Sequence, residues 1–293
     1  MKFKAFLCSL CLILVFLPGC SQQQTYQVAA TTLPVYQFTS ALCEGTGITV
    51  TQLITQQVSC LHDYSLNVSQ VRTLETAEVV VISGGGLEDF MEDSLQHANC
   101  VIDSSANVPL LECEGHHHED EASHEHHHDQ DAHIWLSPQN AQIMAFNIAQ
   151  GLARVYPQYA DRFQYNLDML NQQFEALEQY GKNRLGNLSC REMITFHDGF
   201  GYFADAFDLH ILEAIEEESG SEASAKELKE MINLVREHQL PAVFTEVNGS
   251  VSAADVIAAE TGVKIFSLDM AMAGDDYFEA MYHNIDAVRE AMK

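Results

Sequence analysis

Histidine is the residue type that could do chemistry here. The chain carries 14 of them. Seven fall in one stretch, GHHHEDEASHEHHH: His116, His117, His118, His124, His126, His127 and His128. Neutral imidazole suits zinc, copper, iron and nickel, and here it alternates with Glu119, Asp120, Glu121 and Glu125. Ala122 is the only apolar residue of the stretch. The segment therefore cannot pack and reads as a loop that captures divalent transition metals. Its internal position argues against a purification tag; a merely solvated polar loop is the alternative.

Four more donors sit at the ends of expected elements. His62 lies in CLHDYSLNVSQ, His133 in DAHIWLSPQN just before a helix cap, and His197 in ITFHDGFGYF directly after a strand. Asp269 holds the comparable position in FSLDMAMAGDDY. Three imidazoles and one carboxylate suit tetrahedral zinc, with bonds of about 2.0–2.2 Å. A set richer in oxygen would suit manganese better. A fourth protein ligand leaves no open position for an activated water. HExxH, GxSxG, GxGxxG and a Cys–His nucleophile pattern are all absent. Such a site holds metal without reacting, and its affinity falls with pH as imidazole protonates. A hydrolytic zinc enzyme with Asp269 as base is the alternative. His97, His210, His238 and His283 read as ordinary polar residues, and Asp198 and Glu192 as hydrogen-bonding or surface groups.

The elements that must position these donors alternate strand and helix. Strands are expected at Val28–Thr31, Ile48–Ile54, Glu78–Ser83 and Asn99–Asp103, with helices at Leu33–Leu42, Val68–Glu75 and Leu87–Gln96. The continuous run EVVVIS fits a strand buried on both faces of a parallel sheet, and Gly84, Gly85 and Gly86 end it in a tight turn. Ser137-Pro138 caps a helical segment running to about Lys182, broken at Pro157. Phe163, Leu167, Leu170, Phe174 and Leu177 give it one apolar stripe, as in a spine between two lobes. Alternation then resumes: strands at Glu192–Thr195, Ile211–Ala214, Ala242–Thr245 and Val263–Leu268, and helices at Gly199–Phe207, Ala225–His238, Ser252–Thr261 and Asp276–Met292. The fold class is α/β, with two similar parallel-sheet lobes joined by a long helical spine. Ligands of such sheets lie beyond the carboxyl ends of the strands, which puts the metal site in the interlobe cleft. The expected divisions are 1–20, 21–25, an N-terminal lobe 26–137 that includes the His-rich loop 112–131, a linking helical segment 138–187, and a C-terminal lobe 188–293.

Composition narrows the partners. With 293 residues and 47% apolar content, the chain can bury a core. Fourteen basic against 42 acidic side chains, net −28, disfavour nucleic acid and favour a cation. Lys2, Lys4 and the apolar run Ala5–Leu17 form an export signal, too short to span a bilayer comfortably. Leu17-Pro18-Gly19-Cys20 resembles a bacterial lipobox, which makes Cys20 the acylated first residue of the mature chain and SQQQT a tether. Of the remaining cysteines, Cys43, Cys60, Cys100, Cys113 and Cys190, none forms a CxxC pair. Export permits disulfides, but five is an odd number and the spacing does not set a pairing.

Long ordered segments carry a resemblance that covers essentially the whole mature chain. They are HDYSLNVSQVRTLETAEVVVISGGGLEDFM, the His-rich loop with HIWLSP, TFHDGFGYF, ESGSEASAKELKEMINLV, FTEVNGS, GVKIFSLD and GDDYFEAMYHN. In these the chain resembles the zinc-specific solute-binding lipoproteins of bacterial metal-uptake ABC transporters, the cluster A-I group. The resemblance implies Zn2+ held by His62, His133, His197 and Asp269, and delivery to a permease and its ATPase. It implies a monomer lipid-anchored to the outer face of the cell membrane, periplasmic if Gram-negative. Manganese members carry a carboxylate where His197 stands. A manganese binder and an adhesin or metal-buffer lipoprotein remain the other readings. Glu246 matches a carboxylate beside the cleft, with loop capping as its alternative role. Cys60-Leu61 replaces the usual Asp-Pro before the first ligand, and Met270-Ala271 the usual Pro-Leu after the aspartate. Cys60 is then a thiol supporting His62, a disulfide half or an inert residue.

Overall fold

The computed structural model describes residues 27–56, 61, 64–111, 130–216, 223–272 and 276–293. The first half runs β1 (Val28–Ala30), α1 (Leu33–Cys43), β2 (Val50–Gln52), α2 (Val68–Thr76), β3 (Val79–Ile82), α3 (Glu92–Leu95) and β4 (Val101–Asp103). Two helices follow, α4 (Pro138–Val155) and α5 (Ala160–Leu185). The second half runs β5 (Glu192–His197), α6 (Gly201–Ala206), β6 (His210–Glu216), α7 (Ala225–Glu237), β7 (Ala242–Glu246), α8 (Ser252–Thr261), β8 (Lys264–Leu268) and α9 (Tyr277–Ala291).

Each half is a four-stranded parallel sheet, as the strand–helix alternation implies. The orders are β2-β1-β3-β4 and β6-β5-β7-β8. Val28 pairs with Val50 on one side and Val79 on the other, and Val81 with Ile102. In the second sheet Thr195 pairs with Phe244, and Phe244 with Phe266. In both sheets the chain begins at an inner strand, moves to one edge, then crosses to the other side. The order therefore reverses between β1 and β3 and between β5 and β7, the crevices where such sheets bind ligands.

Local chemistry sets the helix starts. Asn67 and Gln70 form a reciprocal capping box on α2, and Ser224 and Glu227 form one on α7. The Ser137 hydroxyl accepts from Asn140 N–H at 3.3 Å, and Pro138 fills the first turn of α4. The linking segment is two helices, broken by a 3-10 turn at Pro157–Tyr159. The expected stripe of α5 is buried: Phe163, Leu167, Leu170, Phe174 and Leu177 are each no more than 3% exposed. It packs on α1 and α9, where the rings of Phe38, Phe174 and Tyr277 meet edge-on at 5.0–6.1 Å between centroids. One apolar cluster thus runs through both halves. A smaller one lies between the second sheet and α7 and α8.

The helix expected over Leu87–Gln96 is instead a 3-10 turn, Asp89–Met91, followed by the short α3. Glu88 causes the break by turning back into the core. Its Oε1 accepts the Thr31 hydroxyl at 2.6 Å and Ser83 N–H at 2.8 Å, and its Oε2 accepts Gly84 N–H at 2.9 Å. The carboxylate thereby fastens the glycine turn, where Gly84, Gly85 and Gly86 all have positive φ, to the end of β1. Burial pushes its pKa from 4.5 up to about 7, against the pull of those hydrogen bonds. The folded form then holds the proton more tightly than the unfolded chain. The resulting stabilisation is complete below about pH 4.5 and is lost as pH rises through about 7. Glu88→Gln should flatten the change in unfolding free energy between pH 5 and pH 8 by roughly 3 kcal/mol. Urea denaturation at the two pH values measures this, and a pH dependence equal to the parent's contradicts it.

Cys43, Cys100 and Cys190 are free thiols, and burial pushes the Cys43 thiol up to about 12. Cys60 and Cys113 lie outside the described residues.

Candidate metal centre

The two halves meet at a pair of imidazoles. His197 is the last residue of β5, at the reversal point of the second sheet. His133 precedes a 3-10 turn, Ile134–Leu136, that leads into the capped start of α4. Both are buried, 5% exposed for His133 and 2% for His197. Their Nε2 atoms stand 3.4 Å apart, with ring planes at 87°.

A carboxylate stands behind each ring. Nδ1 of His133 is 2.8 Å from Asp131 Oδ1. A carboxylate only accepts, so Nδ1 carries the proton and Nε2 presents a bare lone pair toward His197. Glu246, the last residue of β7, places Oε1 3.5 Å from Nδ1 of His197, a slacker version of the same arrangement. The Nε2 atoms stand within N–H···N hydrogen-bonding distance when one of them carries a proton, and with both bare they leave two lone pairs for one cation to bridge. Two bonds of about 2.0–2.1 Å to one tetrahedral zinc span roughly 3.3–3.4 Å between the nitrogens.

Asp131 was hidden in the sequence as the last acid of the low-complexity run; the readable signal was its place two residues before His133. Asp131 Oδ1 also accepts His133 N–H at 2.8 Å, so one oxygen fixes backbone and ring together. Its own N–H donates to Leu111 O at 2.9 Å, and its carbonyl accepts the Tyr202 hydroxyl at 3.0 Å. Asp131→Ala should lower metal affinity about 10–100-fold by freeing ring and tautomer. Competition against a chromophoric chelator measures this, and an affinity unchanged from the parent excludes the orienting role.

Asp269 follows β8 on a loop pinned to the same region. Its N–H donates to Asn284 Oδ1 and its carbonyl accepts from Asn284 Nδ2, both at 2.7 Å. Its Oδ1 accepts Ala271 N–H at 2.8 Å, which holds Ala271 at φ 55°. Burial raises the pKa of this carboxyl, while that N–H and the charge of His283 pull it down. Between Asp269 and Ala271, the Met270 carbonyl accepts the Trp135 indole N–H at 2.8 Å. Trp135 itself lies edge-on to the His133 ring, 5.4 Å between centroids. Among the described residues, no three His, Cys, Asp or Glu side chains converge on one metal position. The structure thus joins His133 with His197 and brings the Asp269 loop alongside, without its carboxylate completing a three-donor group. His62, Cys60, Cys20 and the histidines from His116 to His128 lie outside the described residues.

The family profile described as ZnuA, zinc-uptake complex component A, periplasmic, matches residues 28–291. The chain belongs to the ZnuA family. A crystal structure of ZnuA superposes with a TM-score of 0.79 at 29% identity, covering 92% of this chain and all of that one. A putative metal-binding protein of Treponema pallidum is 27% identical over 78% of this chain and 76% of its own length. The zinc-binding protein AdcA of Streptococcus pyogenes is 25% identical over 90% of this chain. The chain spans 55% of that protein's length, a little over half. As a ZnuA-family chain it is a metal-binding component of an extracytoplasmic uptake system and not an enzyme. Among the described residues no helix is long and apolar enough to cross a membrane.

Proposed function

We propose that this chain captures Zn2+ outside the cytoplasm and delivers it to an ABC transporter permease driven by its ATPase. The observation that carries the reading is the His133–His197 pair, one imidazole from each half, with Nε2 atoms 3.4 Å apart, the bite of one tetrahedral zinc. His62 and Asp269 complete the ligand set in this reading, and Glu246 and Asp131 orient the rings. Burial makes Asp269 costly to ionise alone, which favours a partner cation beside it. Its carboxylate turns from Ala271 toward the metal on loading. Three imidazoles favour zinc over manganese, and the zinc-binding AdcA relative supports the same choice.

The division into an N-terminal lobe 26–137, a linking segment 138–187 and a C-terminal lobe 188–293 places one ligand pair in each lobe. The histidines from His116 to His128 raise the local zinc concentration, and Cys20 carries the lipid that holds the monomer at the outer face of the cell membrane. Titration of the mature chain with zinc in competition with manganese tests the reading. One tight zinc equivalent and several weaker ones are expected, and deletion of residues 116–128 removes only the weaker ones. Loss of the tight site in that deletion, or tighter binding of manganese, refutes the assignment.

A further inference from the structure

The segment that supplies His197 also grips the support of His133. His197 ends β5, and five residues later Tyr202 lies in the first turn of α6. Tyr202 is buried, at 3% exposure. Its hydroxyl donates to the carbonyl of Asp131 at 3.0 Å and accepts the N–H of Leu111 at 2.9 Å. Asp131 N–H in turn donates to Leu111 O at 2.9 Å. Gly201 permits the close approach: a Cβ there would meet Asp131 Oδ2 at 3.0 Å and Leu111 Cδ1 at 3.6 Å. Leu111 and Asp131 stand on either side of the segment that carries His116 to His128, so one phenol joins its two ends.

We propose that Tyr202 is a positioning residue for metal binding. By holding the Asp131 backbone from the opposite half, it keeps the Asp131 carboxylate behind His133 and so sets the tautomer and place of that ring relative to His197. This rests on reading the two histidines as a metal-binding pair. A carboxylate orients a ring only when its own backbone is fixed, and a residue bonded at both N–H and C=O resists rotation. The Leu111 bond fixes Asp131 locally. The Tyr202 bond fixes it against the β5–α6 segment, on which His197 is carried. A buried hydrogen bond is strengthened by the low local dielectric, and removing one partner leaves the other unsatisfied at the cost of its desolvation. The 3.4 Å separation of the Nε2 atoms is thus held along two routes. One is the covalent chain from His197 to Tyr202, and the other is the hydrogen bonds from Tyr202 through Asp131 to His133.

The test compares the full mature chain with Tyr202→Phe, Asp131→Ala and the double variant, in zinc competition against a chromophoric chelator. Tyr202→Phe keeps the ring and its packing and should lose about tenfold in zinc affinity. In the Asp131→Ala background the same exchange should cost less than about twofold, since no carboxylate is left to position. Histidine labelled with 15N in the metal-free chain gives a second readout, the His133 ring being identified by its loss in His133→Asn. That ring should carry its proton on Nδ1 in the parent and shift toward the Nε2-protonated form in Tyr202→Phe. A Tyr202→Phe affinity within about twofold of the parent overturns the proposal. So does a loss that persists undiminished in the Asp131→Ala background, or an unchanged tautomer. Thermal unfolding without metal checks that Tyr202→Phe folds. If it does not, the parent decides: a slowly exchanging Tyr202 hydroxyl proton supports the clasp, and one that exchanges freely with water overturns it. His197→Ala separates the two readings. Unchanged zinc binding in that variant removes the histidine pair itself, whereas weakened binding there with an unaffected Tyr202→Phe removes the clasp alone.

Discussion

His197→Ala should lose zinc affinity by a few hundredfold. Structural zinc sites bind with roughly 10–16 kcal/mol, so one donor of four is worth about 3 kcal/mol or somewhat more. The loss should be confined to binding. His197 closes β5, but the strand is held by its ladder to β6 and β7 and by the buried Met193, Ile194 and Phe196. Calorimetry on the mature chain gives the affinity, and thermal unfolding without metal checks that the fold persists. An affinity within threefold of the parent would mean that His197 does not touch the ion, and the assignment of this cleft would fail with it.

Gly199→Ala should do comparable harm without removing a donor. The added methyl would sit under 3.0 Å from both imidazoles and from Met270, closer than side-chain carbons tolerate. His133 cannot retreat easily, because Asp131 fixes both its ring and its N–H. Only the backbone of Met270 is held, through Trp135, so its methyl end is the part that can swing aside. The two rings cannot both keep their places, and a shift of either changes the 3.4 Å separation of the Nε2 atoms. Overpacking of this kind costs about 1–3 kcal/mol of stability, and a ring displacement of half an ångström takes a donor out of bonding range. Zinc affinity should therefore fall about 100-fold, with a small drop in the unfolding midpoint. A Gly199→Ala protein that binds zinc as the parent does would show that the rings have room to rearrange.

Much of this architecture was readable because periodicity and strand chemistry are local properties. The β-branched run Val79–Ile82 announced a doubly buried strand, and the stripe from Phe163 to Leu177 announced one face of a long helix. His133 and His197 could be singled out because each sits at an element end, where a strand or cap terminates beside a cleft. Asp131 could not, since its role is to fix a tautomer two residues away and it closes a low-complexity run rich in histidine and acid. Gly199 was invisible for a different reason: what it contributes is the space left by a missing side chain, which only the folded neighbours define. The break at Asp89–Met91 escaped helical periodicity because it depends on where Glu88 finds its donors, just beyond the ends of strands β1 and β3.

Trp135 is the sole tryptophan of the chain, and its ring lies 5.4 Å from that of His133. All indole emission from this protein accordingly originates at the cleft and nowhere else. The polypeptide is thus supplied with an optical gauge at the very spot where cargo would dock, and unlabelled material suffices to read it.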